Sequence, residues 1–347
     1  KDLIELHVAH QRTFLAMADG RWGEAEAACL EVLEGLPEFY EAVGNLAKIR
    51  VGQRRWAESL PLLERALELK PDQYEIVHDQ GLALTEIGDL EGAVEAFRRA
   101  VPLDPAPPTA ELNLTRALFN QGAIEEGLAH ANKVAQQTTQ NPDMLRVLAD
   151  LLLDHGQVAE AVPLLESVVV LAPEDLETRN TLGLIMASSG NLDAARRQYE
   201  AMVEIDPDSA DAHLNLGMII LQQRQDETSL RAAAVHFSRA AQLDPSLPAA
   251  HLNLAFANIR LGRTGEGIAG LRRTLDLVPD QPDVLDQLAW SLMTAAEPSL
   301  RNPIEATDLA ERACEITGYQ EPSFLATLAA AHAASGDSSR AAAVAAR

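Results

Sequence analysis

The sequence contains only two cysteines, Cys29 and Cys314, among its 347 residues. Small folds that depend on disulfides need several closely spaced cysteine pairs, so a disulfide framework is excluded as the organising principle. Long hydrophobic runs are also missing, and no stretch approaches the roughly 20 apolar residues that a membrane-spanning helix needs. We therefore expect no direct insertion into a membrane.

Basic residues are few, because 28 lysines and arginines face 52 aspartates and glutamates, which gives a net charge of −24. Such a surface repels nucleic acid and anionic lipid, so we expect no nucleic-acid partner. Aromatic residues are scarce at 4%, although 47% of all residues are hydrophobic. Alanine and leucine supply most of the apolar content, which is typical of packed helices.

The local motifs of common catalytic and metal sites are absent from the sequence. It has no phosphate-binding loop, no dinucleotide-binding glycine pattern, no H-E-x-x-H and no C-x-x-C. Its nine histidines are spread along the chain without the spacing of a ligand set. We predict no enzymatic activity, no cofactor and no metal within these residues.

A repeat of 34 residues runs through the chain. In each period two amphipathic stretches, with apolar residues three and four apart, flank a short turn, which predicts two helices. Glycine after the first stretch suits a left-handed helix C-cap, and proline ends the second. The residues that mark the period are Pro37, Pro71 and Pro105, and Gly88, Gly122, Gly156 and Gly190.

This pattern resembles the tetratricopeptide repeat (TPR), in which small residues stand where the first helix (helix A) crosses the second (helix B). The segment "QGLAL" with Ala93, Phe97, Ala100 and Pro105 fits the family pattern. The resemblance implies an all-α, right-handed superhelical solenoid of about ten helix-turn-helix repeats, forming a single domain over residues 1–347. The predicted repeats start near residues 6, 40, 74, 108, 142, 176, 210, 248, 282 and 322.

Several positions depart from the family pattern. Gly127 and Gly267 replace the first alanine of helix B, and Arg54 stands at the turn glycine. Two insertions, near residues 224–231 and 296–303, fall between helices A and B. We expect both insertions to project as loops without disturbing the stack of helices.

The TPR resemblance also implies that helix A lines the concave surface of the solenoid. In repeats six to nine these positions are mostly apolar, and methionine and aromatic side chains suit an adaptable peptide-binding surface. The alternative is that neighbouring helices A half-bury these side chains. The predicted groove residues are Leu184, Asn215, Met218, Leu221, Asn253, Phe256, Ile259, Gln287, Trp290 and Met293.

Amide side chains recur at the sixth position of helix A. This partial row resembles the one in O-linked N-acetylglucosamine transferases, where amides hold a peptide main chain, because an amide offers both a donor and an acceptor. Asn45, Lys48, Asn113 and Arg116 are secondary candidates, by a weaker resemblance to TPR domains that clamp an acidic carboxylate. His213 and His251 stand where the family often has a packing aromatic.

We predict a non-enzymatic scaffold that binds a protein or peptide through the groove of repeats six to nine. One alternative is the substrate-recruiting or assembly TPR region of a larger enzyme, such as a glycosyltransferase, sulfotransferase or sulfatase. Another is a structural protein that self-associates through its terminal repeats. The chain starts without methionine or a signal-like segment, which suggests an excerpt, so a cytoplasmic or periplasmic location stays open.

Overall fold

The computed structural model describes residues 3–103 and 108–346, and within them the chain forms twenty α-helices and no strand. Pro105, one of the periodic prolines, lies outside these residues. The helices group into two compact units, residues 1–173 and 174–347. Each is an all-α solenoid of helix pairs, as the sequence predicts. A single domain over residues 1–347 stays a prediction.

The first unit contains five helix pairs. Consecutive helices of each pair pack against one another. A short 3₁₀ helix, Val101–Leu103, follows the sixth helix. The helices are α1 Leu3–Ala18, α2 Trp22–Gly35, α3 Tyr40–Gly52, α4 Trp56–Leu69, α5 Tyr74–Ile87, α6 Leu90–Ala100, α7 Thr109–Gln121, α8 Ile124–Gln137, α9 Pro142–Asp154 and α10 Val158–Leu171.

The second unit also contains five helix pairs. Helices A of adjacent repeats touch, as between α13 and α15, so the stacking of repeats supplies the core. A 3₁₀ helix, Pro298–Leu300, precedes α18. The helices are α11 Leu176–Ser188, α12 Leu192–Ile205, α13 Ala210–Gln223, α14 Glu227–Leu243, α15 Pro248–Arg260, α16 Thr264–Leu277, α17 Pro282–Thr294, α18 Pro303–Ile316, α19 Pro322–Ala334 and α20 Ser338–Ala345.

Glycine stands on helix A opposite the aromatic residue of helix B in several repeats. A Cβ atom on Gly217 would lie 2.6 Å from Cε1 of Phe237, whose ring is fully buried on α14. Gly183 stands in the same relation to Tyr199, since its Cβ would lie 2.6 Å from the ring atom Cζ. The aromatic of helix B therefore fills the space that a side chain on helix A would occupy, so a residue without a side chain fits at this position.

The two glycines that replace the first alanine of helix B have a related cause. A Cβ on Gly127 would lie 2.5 Å from the ring of Phe119, and one on Gly267 would lie 2.4 Å from Cγ1 of Ile259. Phe119 and Ile259 both stand near the end of helix A and turn a large side chain toward helix B. The smaller residue on helix B thus compensates for the larger one on helix A.

The turn between helices A and B requires a left-handed residue. Gly190 has φ +80° in the sixth repeat, which glycine adopts without steric cost. Arg54 has φ +57° at the corresponding turn of the second repeat, so a residue with a Cβ takes the same conformation there. This departure from the family pattern therefore changes the residue and leaves the turn in place.

The two insertions differ, and the expectation of two loops is wrong for the first. Helix α14 begins at Glu227 and has 17 residues, whereas α12 and α16 have 14, so the insertion near 224–231 lengthens helix B. Extending a helix satisfies the inserted backbone groups internally. The second insertion is a loop that folds back, because Arg301 Nε donates to the carbonyl of Ala295 at 2.7 Å.

Candidate functional site

The ninth residues of four helices A in the second unit form a set that we call the apolar row: Leu184 on α11, Met218 on α13, Phe256 on α15 and Trp290 on α17. Leu184 is 53% exposed, and Met218 and Trp290 are each 47% exposed, whereas Phe256 is half-buried. Large apolar side chains that recur at one position of successive helices and stay exposed are a feature of interaction surfaces.

Three further predicted residues contribute to the core as well as to the surface. Leu221 is half-buried and packs against the buried cluster that contains Phe237. Ile259 and Met293 are half-buried and pack against a second cluster, built around Leu271 and Leu288. The alternative interpretation, half-burial between neighbouring helices, therefore describes these three positions better than it describes the exposed row.

The predicted amides already make contacts within the protein. Asn215 Nδ2 donates to Asn180 Oδ1 at 3.2 Å, which joins α13 to α11. Asn253 Nδ2 donates to the carbonyl of Ala249 at 2.8 Å on its own helix. Gln287 Nε2 lies 3.4 Å from the hydroxyl oxygen of Ser291. Each amide keeps a second N–H and its carbonyl lone pairs for an external partner.

The four secondary candidates lie in the first unit, and two of them, Lys48 and Asn113, contact other side chains of the protein. Asn45 is buried, and its Nδ2 has no hydrogen-bond partner among the described residues. Lys48 forms an ion pair with Glu75. Asn113 Nδ2 lies 2.8 Å from His78 Nε2, whereas Arg116 is exposed beside a cleft that Asp150 also lines. The structure therefore does not gather these four residues into one open cationic site.

Asp286, which precedes Gln287 on α17, is a partly buried acidic residue that the sequence does not single out. Burial raises the pKa of this carboxyl, a hydrogen bond from Thr327 opposes the shift, and Asp283 adds to it. Its Oδ1 atom is buried without a hydrogen-bond partner among the described residues. An acidic residue in a helix gives no sequence signal of this burial, and its hydrogen-bond partner Thr327 lies in the next repeat, far away in sequence.

The two histidines of the repeated "HLNL" segment make the same structural contact. His213 Nε2 lies 3.1 Å from the carbonyl oxygen of Pro207, and His251 Nε2 lies 3.1 Å from that of Pro245. Each imidazole thus ties the start of helix A to the proline that follows the preceding helix B. His213 Nδ1 also lies 3.0 Å from His236 Nδ1.

Burial lowers the pKa of His236, and His213 and Arg196 add to this shift while Glu200 opposes it. Over residues 3–103 and 108–346, no cluster of three or more His, Cys, Asp or Glu side chains is arranged to hold a metal ion. In the same part of the chain, no helix combines the length and the apolar character needed to cross a membrane.

Two family models, both described as tetratricopeptide repeat, match this sequence. One matches residues 15–74 and 45–108, and the other matches 84–151 and 152–216, so together they span more than half of the chain. The chain belongs to the tetratricopeptide repeat family. TPR arrays are protein-interaction scaffolds and are generally not catalytic themselves.

Curated relatives share the TPR region at low identity. The BBSome complex member BBS4 of Bos taurus is 27% identical over 138 residues, which is 40% of this chain and 26% of the relative. The cellulose synthase operon protein C of Pseudomonas fluorescens is 24% identical over 232 residues, 62% of this chain and 18% of the relative. The chain thus matches only about a quarter of the length of BBS4.

One solved TPR structure has a similar fold. It is the C-terminal part of a TPR repeat-containing protein from Cytophaga hutchinsonii, with a TM-score of 0.52 and 12% sequence identity. The alignment covers 81% of this chain and 98% of that chain. At this identity the likeness concerns the fold alone.

Proposed function

We propose that the second unit binds a peptide segment of a partner protein along the apolar row. The observation that carries this proposal is the exposure of Leu184, Met218 and Trp290, each about half accessible at the same position of helices A. Tryptophan is enriched among the residues that dominate binding energy, and methionine is common at adaptable binding surfaces because its flexible side chain fits irregular partners. Water released from these side chains on binding favours the complex.

Polar groups beside the row supply hydrogen bonds to an extended peptide. Asn215 and Asn253 precede Met218 and Phe256 by three residues, so each amide lies on the same side of its helix as the row. Each has a free N–H and carbonyl lone pairs, which match the donors and acceptors of a peptide main chain. Such contacts hold a backbone irrespective of its sequence, while the row selects apolar side chains.

The proposal is tested by capture from the source cells, followed by affinity measurement with the partner that mass spectrometry identifies. Trp290→Ala and Met218→Ala remove large exposed side chains with little effect on the core. We expect each to weaken binding by about tenfold or more, as interface residues of this kind do. Ile304→Ala is the matched control, since Ile304 is 73% exposed and lies on α18, outside the row.

Circular dichroism must show unchanged helix content for all three variants. Equal binding by the wild type, Trp290→Ala and Met218→Ala would refute a role for the row. Loss of binding in Ile304→Ala alone would show that the partner binds helix B of the ninth repeat instead of the apolar row.

A second candidate function is that of a TPR region within a larger enzyme. Matches to the O-mannosyl-transferase TMTC1 of Homo sapiens and to cellulose synthase operon protein C cover 20% and 18% of those relatives, so in both the matched part is a minor portion of a longer protein. The genomic reading frame tests this idea directly. We expect it to continue into a catalytic domain, and a frame that encodes only these repeats would refute it.

A further inference from the structure

Asp286 is a partly buried carboxylate at a position of α17 where its charge costs stability. Its Oδ1 atom is buried without a hydrogen-bond partner among the described residues, and burial raises the pKa of the group. It is the fifth residue of α17 and lies past the first turn, in which the helix dipole favours a negative charge. The fifth residues of the other helices A in the second unit are uncharged: Asn180, Leu214, Leu252 and Ala326. The stacking of repeats therefore does not require an acid at this position.

Asp283, Asp286 and Trp290 form one stripe along α17, which we call the α17 stripe. They are spaced by three and four positions, which places them on one face of the helix. Side chains of an α-helix lean toward its N-terminus, so the indole of Trp290 extends toward the turn that carries Asp286. Trp290 is also the last member of the apolar row and is 47% exposed. The stripe thus joins an accessible aromatic ring to two carboxylates at one end of the row.

The two carboxylates of the α17 stripe have no compensating cation among residues 3–103 and 108–346, since neither forms an ion pair there. Of the two neighbouring helices A, α19 contains no lysine or arginine, and α15 contains only Arg260, its last residue. Arg260 Nη2 donates to the carbonyl of Gln225 in the preceding repeat at 3.3 Å. The negative charge at this end of the row is therefore available to a cation from outside the chain.

We propose that the α17 stripe binds an arginine side chain of the partner peptide, next to the apolar side chains that the row accepts. This inference rests on the proposed function and adds the charge of the peptide at one end of the row. A guanidinium group stacks on an indole ring through its face and donates hydrogen bonds to carboxylates through its edge. Trp290 and Asp286 together match both features. Lysine fits less well, because its ammonium group is a strongly hydrated point charge without a planar face.

The environment of Asp286 favours such a contact. Its carboxylate is already partly removed from water, so part of the desolvation cost is present before a ligand binds. The terminal torsion of an aspartate is soft, so the carboxylate can turn an unpaired oxygen toward a guanidinium group. Asp283 is exposed and adds attraction for the same cation. An acidic peptide residue at this place would be repelled, which gives the row a preference for one class of peptide.

The probe is a fluorescein-labelled peptide, Gly-Arg-Leu-Met-Leu-Arg amide, titrated with the full chain by fluorescence anisotropy. Arginine stands at both ends of the apolar segment, so the probe does not depend on the direction in which a peptide lies. The comparison peptide has citrulline in place of each arginine, which keeps the shape of the side chain and removes its charge. We expect the arginine peptide to bind about tenfold more tightly, and we call the ratio of the two Kd values the arginine preference.

Two substitutions remove the charge of the stripe and keep its shape. Asp286→Asn should lower the arginine preference by about fivefold, and Asp283→Asn combined with Asp286→Asn should abolish it. Asp308→Asn is the matched control, because Asp308 is exposed on α18 of the same repeat and the variant has the same net charge as Asp286→Asn. It should change the preference by less than about twofold, since one screened surface charge contributes little to long-range attraction.

Trp290→Leu separates the aromatic ring from its apolar bulk. This variant should lower the arginine preference by about threefold through the lost ring face, with a smaller change in the affinity for the citrulline peptide. The affinity for the citrulline peptide reports on the apolar row, and the arginine preference reports on the stripe. Each proposal can therefore fail while the other holds.

Asp286→Asn has a second readout that misfolding cannot imitate. Neutralising a partly buried carboxylate should leave the thermal midpoint at pH 7 unchanged or raise it, while the arginine preference falls. A lower midpoint would instead assign Asp286 to the packing of the repeats and overturn the inference.

Three binding results would also overturn it. The first is equal binding of the arginine and citrulline peptides to the wild type, or no binding of either at millimolar protein. The second is an arginine preference that survives in the variant with both aspartates replaced. The third is an equal loss of preference in Asp308→Asn, because the preference would then reflect only the overall charge of the chain.

Discussion

Replacing Gly267 with alanine should destabilise the second unit, although alanine is the better helix former. In an unconstrained helix interior this change stabilises by about 1 kcal/mol. At Gly267, however, the new Cβ would lie 2.4 Å from Ile259 Cγ1 and 3.1 Å from the backbone oxygen of Ala255. Overpacking of this kind costs about 2–3 kcal/mol where backbone forms one side of the contact. The net loss is about 1–2 kcal/mol.

The assay is urea and thermal unfolding followed by circular dichroism at 222 nm. A loss of this size corresponds to a fall in the midpoint of about 2–8 °C for a unit of this length. Gly265→Ala is the matched control on the same helix, because its Cβ would meet Leu300 at 3.6 Å, an ordinary van der Waals distance. That variant should be neutral or slightly stabilised.

A double-mutant cycle isolates the cause. Ile259→Ala combined with Gly267→Ala recreates the alanine pair that the sixth repeat has at Ala187 and Ala195. Alanine at 259 leaves room for the new Cβ, so the double variant should lose less stability than the two single losses added together. The idea that Gly267 makes room for Ile259 would be refuted if the stability losses of the two single variants simply added in the double variant. A Gly267→Ala variant more stable than the wild type would refute it as well.

Three further predictions concern single residues. Arg54→Gly should stabilise the first unit by about 0.5–1 kcal/mol in urea unfolding, because Arg54 has a left-handed backbone with φ +57°. Gly190→Ala, at φ +80°, should destabilise the second unit. Equal effects of the two variants would contradict the claim that these turns need a left-handed residue. Burial raises the pKa of Cys29 from 9.0 to about 12, so its contribution to stability is complete below pH 9 and lost as pH rises toward 12. An aromatic disulfide reagent at pH 8 should leave the Cys29 thiol unmodified until urea is added, and rapid labelling of the native protein would contradict this. The lowered pKa of His236 makes its contribution present above pH 6.5 and lost as pH falls, so His236→Phe should flatten the pH dependence of the thermal midpoint between pH 7 and 5.

The periodic pattern predicts the helices because the residues that define each helix and turn lie within one repeat. Glycine at the turns and small residues at the crossing follow from backbone sterics and from the ring that faces them, as at Gly217 and Phe237. These constraints act within one repeat, so a single sequence displays them. The helix pairs were therefore predictable from the pattern alone, and the TPR resemblance added their arrangement as an all-α solenoid.

What depends on contacts between repeats was less predictable. The environment of Asp286, for example, includes Thr327 of the next repeat, which donates a hydrogen bond to its carboxyl group. The insertion near 224–231 is also ambiguous in sequence, since "DETSLRAA" suits a loop as well as a capped helix start. Asp226 accepts a hydrogen bond from the backbone N–H of Ser229, and this cap decides for the helix.

The longer α14 shows how a repeat array gains recesses without gaining loops. Its added turn places Thr228 and Ser229 in the lining of a cleft beside α12 and α13. The same turn places Arg231 in the lining of a second cleft, beside α15 and the start of α16. A helical rim is rigid, because its backbone groups are bonded within the helix, whereas a loop of equal length must be ordered when a ligand binds. Variation in helix length thus gives TPR proteins preorganised clefts on the surface, while the core between the helices stays the same.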